Sequence, residues 1–275
     1  MITARLMGGL GNNLFQIANL MARSKESGYV AKVLPHVERY HYGKLNGSVV
    51  LEVEDIFEDT SYMTNDLSKE RFVYYGHPDM GGYFGYTKPP VFDGILYDGY
   101  FQSHRYFESI DHRSLFAIKG SLQQRVRSEH RLQRNSVAVH CRFAGDRLKP
   151  ETLPYHGVVS MGFYKQALER IQDILEETLS VYVVTDDPDA GKVERMFADI
   201  CPTAEISVVN GDMQSSFALM AMCSHSVLGN STYSWWAAMI NPNNPIVVAP
   251  NTEWFGPLNS HIHKGDLFPS DWILI

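Results

Sequence analysis

"MGGLGNNLFQIANLMARS", residues 7–24, follows a short apolar run from Ile2 to Leu6 and sets the fold class. The apolar run reads as a strand, the glycines as a tight turn and the residues behind them as a helix. Leu14, Ile17, Ala18 and Met21 share one face of that helix. A strand that turns through glycine into a helix opens an α/β unit, and the question it poses is what the turn approaches.

A dinucleotide pyrophosphate is the usual ligand of such a turn, with the fingerprint G-x-G-x-x-G. Gly9 and Gly11 supply two glycines, but Leu14 stands at the third. No acidic residue sits at a convincing strand end about 20 residues further on, so the ribose contact is missing as well. Both departures argue against NAD or FAD. Two readings stay open: a tight turn with no ligand, or a backbone that approaches a phosphate or sugar. In the second, Asn12 and Asn13 offer side-chain amides at a helix N-terminus.

Working outward, Val30 to Leu34 reads as a second strand, and residues 35–90 show weak periodicity, with many Tyr, Gly and Asp. Residues 95–107, "ILYDGYFQSHRYF", are aromatic and compact. Beyond the basic stretch around Arg125 to Arg134 the pattern sharpens. Strands at Ser136–Val139, "VYVVT", "ISVV", "SVLGN" and "PIVVAP" alternate with helices at Phe163–Glu177, Gly191–Asp199, Gln214–Cys223 and Tyr233–Ile240. That alternation predicts a parallel sheet with helices on both faces. The expected domains are residues 1–128 and 129–275.

Three segments of the second half carry candidate chemistry. In "VHCRFAGDR" a strand ends in His140, Arg142 and Asp146, and open parallel sheets bind ligands beyond the carboxyl ends of their strands. Arg142 suits a phosphate and His140 a base or ribose; an exposed Arg142–Asp146 pair is the structural alternative. "TDDPD" offers Asp186 and Asp187 as acceptors for a purine edge. Asp187 with Asp189 could instead form a D-x-D metal pair or cap the next helix. "LGNSTYSWWAAMINP" gathers Asn230, Ser231, Thr232, Tyr233 and Ser234 at a helix start, which suits an anion or an ordinary N-cap. Trp235 and Trp236 read as core.

Taken together, these segments resemble the α1,2-fucosyltransferase family. "GGLGNNLFQIA" resembles its G-G-L-G-N-Q-x-F-Q opening, "DGYFQSHRYF" its G-Y-F-Q segment, and "VHCRFAGDR" its H-x-R-R-x-D motif. "VVTDD" resembles the F-S-D-D strand end, "LGNSTYSWWAAMINP" the N-S-T-F-S-W-W block, and "PIVVAPNTEWF" the segment after it. The matches are collinear from residue 7 to residue 255. The resemblance implies an α/β fold of GT-B type, with two Rossmann-like domains facing a central cleft and GDP-fucose held mainly by the C-terminal one. It also implies inversion at the anomeric carbon, no required metal or other cofactor, and a glycan acceptor. Donor contacts then fall on Gly9, Gly11, Asn12, His140, Arg142, Asp186, Asp187, Asn230, Ser231, Thr232, Tyr233 and Ser234. Arg142, Asn12 and Asp146 are the catalytic candidates, with Asp146 either a base or a partner that orients Arg142. Phe143 replaces the motif's second arginine, and Ala144 is inserted after it. Those departures leave a weak or silent GDP-sugar-binding relative, or a transferase with another nucleotide sugar, as alternatives.

Composition narrows the classes further. The formal net charge is −7 with 24 basic and 31 acidic residues, which disfavours nucleic acid and a polybasic membrane surface. Cys141, Cys201 and Cys223 form no C-x-x-C pair, so a reducing compartment is expected. With no leader-like start and no apolar run of 18 residues, a cytoplasmic protein is expected. His261 and His263 form an H-x-H, with no third ligand nearby in the sequence.

Overall fold

The computed structural model describes residues 1–41, 44–51, 53–78 and 85–275; the side chains at 38–48, 50, 146 and 147 lie outside that description. The chain divides into two units. One comprises Met1–Ala117 with Ile262–Ser270, the other Ile118–His261 with Asp271–Ile275.

In the first unit the opening apolar run forms two strands, β1 (Thr3–Ala4) and β2 (Leu6–Met7), followed by helix α1 (Leu10–Ser27). Arg5 separates the strands, and each joins a different sheet. β1 pairs in parallel with β6 (Ile95–Asp98), which pairs in parallel with β5 (Val73–Gly76). β2 pairs in parallel with β3 (His36–His41), which runs antiparallel to β4 (Lys44–Val50). A short helix, α2 (His112–Leu115), follows. Helix α1 ends where Gly28 takes a left-handed φ of +77° and its N–H bonds the Ser24 carbonyl. The expected strand at Val30–Leu34 is corrected to two isolated bridges, Ile2 with Ala31 and Val33 with Met63. Its residues bond different neighbours in turn, so no continuous ladder forms.

The second unit contains α3 (Gly120–Glu129), β7 (Ser136–Cys141), α4 (Leu153–His156), α5 (Met161–Leu175) and β8 (Ser180–Thr185). It continues through α6 (Ala190–Ile200), β9 (Glu205–Val209), α7 (Met213–Met222), β10 (His225–Val227), α8 (Thr232–Met239), β11 (Val247–Ala249) and β12 (Ile273–Leu274). The six strands form one sheet in the order β12-β11-β10-β7-β8-β9, and every pair is parallel. All six residues of β7 are buried, as a strand covered on both faces requires. Val139, Val183, Leu168 and Phe197 lie in the core between sheet and helices. Trp235 and Trp236 are fully buried, with ring centroids 5.3 Å apart, in the core role expected of them. Among the described residues no helix is long and apolar enough to cross a membrane.

Candidate active site

The carboxyl ends of β7 and β8 open into a cavity of about 350 Å3 in the second unit, a size within the range of small-molecule sites. His140, Arg142 and Asp186 line one side, and Ser231 and Tyr233 another. Val184 and Thr185 of β8, Gly211 ahead of α7, and Met213 and Ser216 in its first turn complete it. Five residues singled out in the sequence therefore meet around one space, although they come from segments up to 93 positions apart in the chain (140 to 233).

Each arrives for a local reason. His140 is the fifth residue of β7, and its carbonyl accepts from the buried Tyr164 hydroxyl at 3.0 Å. Gly229 lets the turn after β10 pass against that same carbonyl, since a Cβ there would lie 2.6 Å from the His140 oxygen. Ser231 caps α8 in extended conformation (φ −147°), with its Oγ accepting from the Tyr233 N–H at 3.3 Å. The Tyr233 ring lies 5.6 Å from the His140 ring, and its hydroxyl donates to the Met213 carbonyl. Burial raises the Tyr233 hydroxyl far above its usual range, so it stays protonated at neutral pH.

Asp186 organises the loop beyond β7. Its Oδ1 accepts from the Phe143 and Ala144 N–H groups at 2.9 and 3.1 Å, and its Oδ2 lies 3.5 Å from Arg142 Nε. The Arg142 side chain is 28% exposed and lines the cavity beside Asp186. Phe143 points the other way, onto the core, with its ring edge-on to Tyr164 at 6.0 Å. The Asp146 side chain lies outside the described residues.

Other sequence candidates stand apart from the cavity lining. Asp187 is buried; its Oδ2 accepts from Lys192 Nζ at 2.8 Å and its Oδ1 from the Asp189 N–H at 3.0 Å. The lysine holds the Asp187 carboxyl below the usual carboxylate range. Asp189 caps α6 by accepting from the Lys192 N–H at 2.8 Å. Asn230 donates to the His156 carbonyl at 2.7 Å, bracing α4. Thr232 opens α8, and Ser234 donates back to the Ser231 carbonyl at 3.1 Å. Among the described residues no group of three or more His, Cys, Asp or Glu is placed to hold a metal ion.

Gly9, Gly11 and Asn12 belong to the first unit. Gly9 is the N-cap of α1 with no side-chain cap, and a Cβ there would meet open space. Asn13 donates to the Met7 carbonyl at 3.0 Å, and Gln16 accepts from the Met7 N–H at 3.0 Å. These two buried amides lock the strand to the helix across the turn. Residues that motif reading missed include Tyr164, Met213 and Ser216; the sequence signal for the last two is Asp212, which caps α7 through Ser215 at 2.7 Å.

The cavity thus sets an arginine, a carboxylate and several hydroxyl groups at the carboxyl ends of parallel strands, where open α/β sheets bind ligands. The chain belongs to Glycosyl transferase family 11, whose family model it matches over residues 1–275. An alpha-1,2-colitosyltransferase of Escherichia coli is 25% identical, with 100% of this chain and 98% of that protein covered. The O-antigen biosynthesis glycosyltransferase WbnK of Escherichia coli is 33% identical over 144 residues, which is 50% of this chain and only 44% of that protein. Galactoside alpha-(1,2)-fucosyltransferase 2 of Oryctolagus cuniculus is 24% identical over 99% of this chain and 76% of its own length. Among solved structures, POFUT1 in complex with GDP-fucose superposes with a TM-score of 0.54 at 13% identity, covering 87% of this chain and 93% of that one. The fold is thus the GT-B type of the fucosyltransferases, as the sequence motifs implied.

Proposed function

We propose that the protein transfers fucose from GDP-fucose to a hydroxyl of a glycan, forming an α1,2 linkage with inversion at the anomeric carbon. The observation that carries this reading is the placement of Arg142 beside a cavity that also receives the Ser231-capped start of α8. The fucosyl- and colitosyltransferase relatives support the choice of a deoxy sugar, and the POFUT1 structure in complex with GDP-fucose supports its GDP-linked form.

In this reading the acceptor oxygen forms a bond to the anomeric carbon as the bond to the phosphate oxygen breaks. The electron pair leaves on GDP, where Arg142 offsets the growing charge together with hydroxyl and N–H donors of the cavity. Asp146 is the motif carboxylate for the acceptor proton, with orientation of Arg142 as its other role. A loose, oxocarbenium-like transition state demands little of a base. Asn12 contacts the donor sugar from the glycine turn, and residues 129–275 form the donor side. No metal takes part in the proposal: Asp187 and Asp189, the pair with D-x-D spacing, are committed to Lys192 and to the cap of α6. A cytoplasmic location belongs to the same proposal.

Calorimetry with GDP, ADP and UDP in EDTA tests the nucleotide. GDP is expected to bind about tenfold or more tightly than the others, as sites built on base hydrogen bonds discriminate. Equal affinities would remove the guanine assignment, and binding that needs added metal would favour a metal-dependent transferase.

A further inference from the structure

The loop after β6 carries a residue whose contacts reach the glycine turn. Gln102 is buried, and its Nε2 donates to Asn12 Oδ1 at 2.9 Å. The other end of the Asn12 amide lies over Gly8, where a Cβ would come within 2.4 Å of Nδ2. Gly8 has φ +84°, which glycine adopts without the steric cost of a side chain. The oxygen end of the amide is held by Gln102, and the nitrogen end lies over a position with no side chain. Turned over, the amide would set its N–H groups against the Gln102 donor and lose that bond.

The backbone that delivers Gln102 is under strain. Phe101 has φ +52°, the left-handed region that costs a residue with a Cβ. Packing holds it there: its ring is fully buried, edge-on to Tyr106 at 5.4 Å and 4.6 Å from His77. The start of the same loop is tied to α1, because Gln16 Nε2 donates to the Gly99 carbonyl at 3.2 Å. The helix that carries Asn12 and the loop that orients it are thus joined at two points.

We propose that Gln102 is a positioning residue for the transfer reaction, fixing Asn12 so that its Nδ2–H, and not its oxygen, faces a substrate oxygen. This rests on the reading that Asn12 contacts the donor.

A double-mutant cycle tests it. Gln102→Met keeps the length and removes the donor, and is expected to lower kcat for transfer about tenfold, the cost of a misplaced group. In an Asn12→Ala background the same substitution should change kcat by less than about twofold, because the two act as one unit. Equal factors in both backgrounds, or an unchanged kcat in either single variant, would overturn the proposal. If the unsubstituted protein transfers no fucose, the proposed function fails, and the positioning role is read without turnover. Side-chain amide NMR of Gln102→Glu should show the Asn12 NH2 turned toward the acceptor-only carboxylate at 102; an amide that keeps its orientation contradicts the assignment.

Discussion

Two strand–turn–helix junctions in this molecule do different work with different residues. At the first, Gly8 to Asn12, the helix start has no side-chain cap, and buried neutral amides of Asn13 and Gln16 fix the geometry. At the second, Gly229 to Ser234, a serine caps the helix and Arg142 stands beside it. The first junction carries no charged side chain, and in the proposed function it positions. The second shares its cavity with Arg142 and Asp186, and in the proposed function it meets the diphosphate. Substitutions should therefore cost orientation at one and charge stabilisation or packing at the other.

The largest effect is expected at Arg142. Arg142→Ala should lower turnover about 10²–10³-fold, the usual loss for one transition-state donor; a variant with half the native rate would end the assigned role. Next come the glycines. Gly229→Ala should cost about 1–3 kcal/mol, since its Cβ meets a backbone carbonyl that cannot swing aside. Gly9→Ala, whose Cβ meets open space, should cost less than about 1 kcal/mol. Denaturant titrations that give the two equal losses would break the comparison.

Phe143→Arg sharpens it. The family motif has arginine there, but Phe143 packs against Tyr164 and faces the core. The substitution should leave GDP affinity no tighter and lower stability by about 0.5–1.5 kcal/mol, the packing value of such an aromatic pair. Tighter GDP binding with an unchanged melting temperature would place the side chain in the cavity instead. Asp189→Ala should remove a helix cap at about 1 kcal/mol and leave the transfer rate unchanged in EDTA. A collapse of transfer would revive the D-x-D metal reading.

The smallest effect is a pH dependence. His225 Nδ1 accepts from the Ile246 N–H at 3.2 Å, and burial lowers its pKa below the ordinary histidine value. The unfolded chain then takes up the proton first as pH falls, so this contribution is present above about pH 6.5 and declines below it. Melting curves between pH 7.5 and 5 should show the decline, and His225→Asn should flatten it; a slope unchanged by that substitution would remove His225 as its source.

The second unit was legible because β7 and β8 are covered on both faces and so read as unbroken apolar runs. The first was less so. Its opening strand splits at Arg5 between two sheets, a choice set by tertiary pairing that no local pattern records. In the cavity, His140, Arg142, Asp186, Ser231 and Tyr233 were found from motif and strand-end position. A motif names residues without saying which way they point: Asn230 and Ser234 lie in the same block yet bond backbone carbonyls. The Gln102 contact, 90 residues from Asn12, could be seen only in three dimensions.

The most direct test of the central claim is transfer itself. The protein is incubated with GDP-fucose, a galactoside acceptor and EDTA, and the product is analysed by NMR. A fucose in α linkage on O2 of the galactose is the expected result, with the yield lost in Arg142→Ala. A product formed only when divalent metal is restored, or an unaltered acceptor beside intact GDP-fucose, would contradict the account.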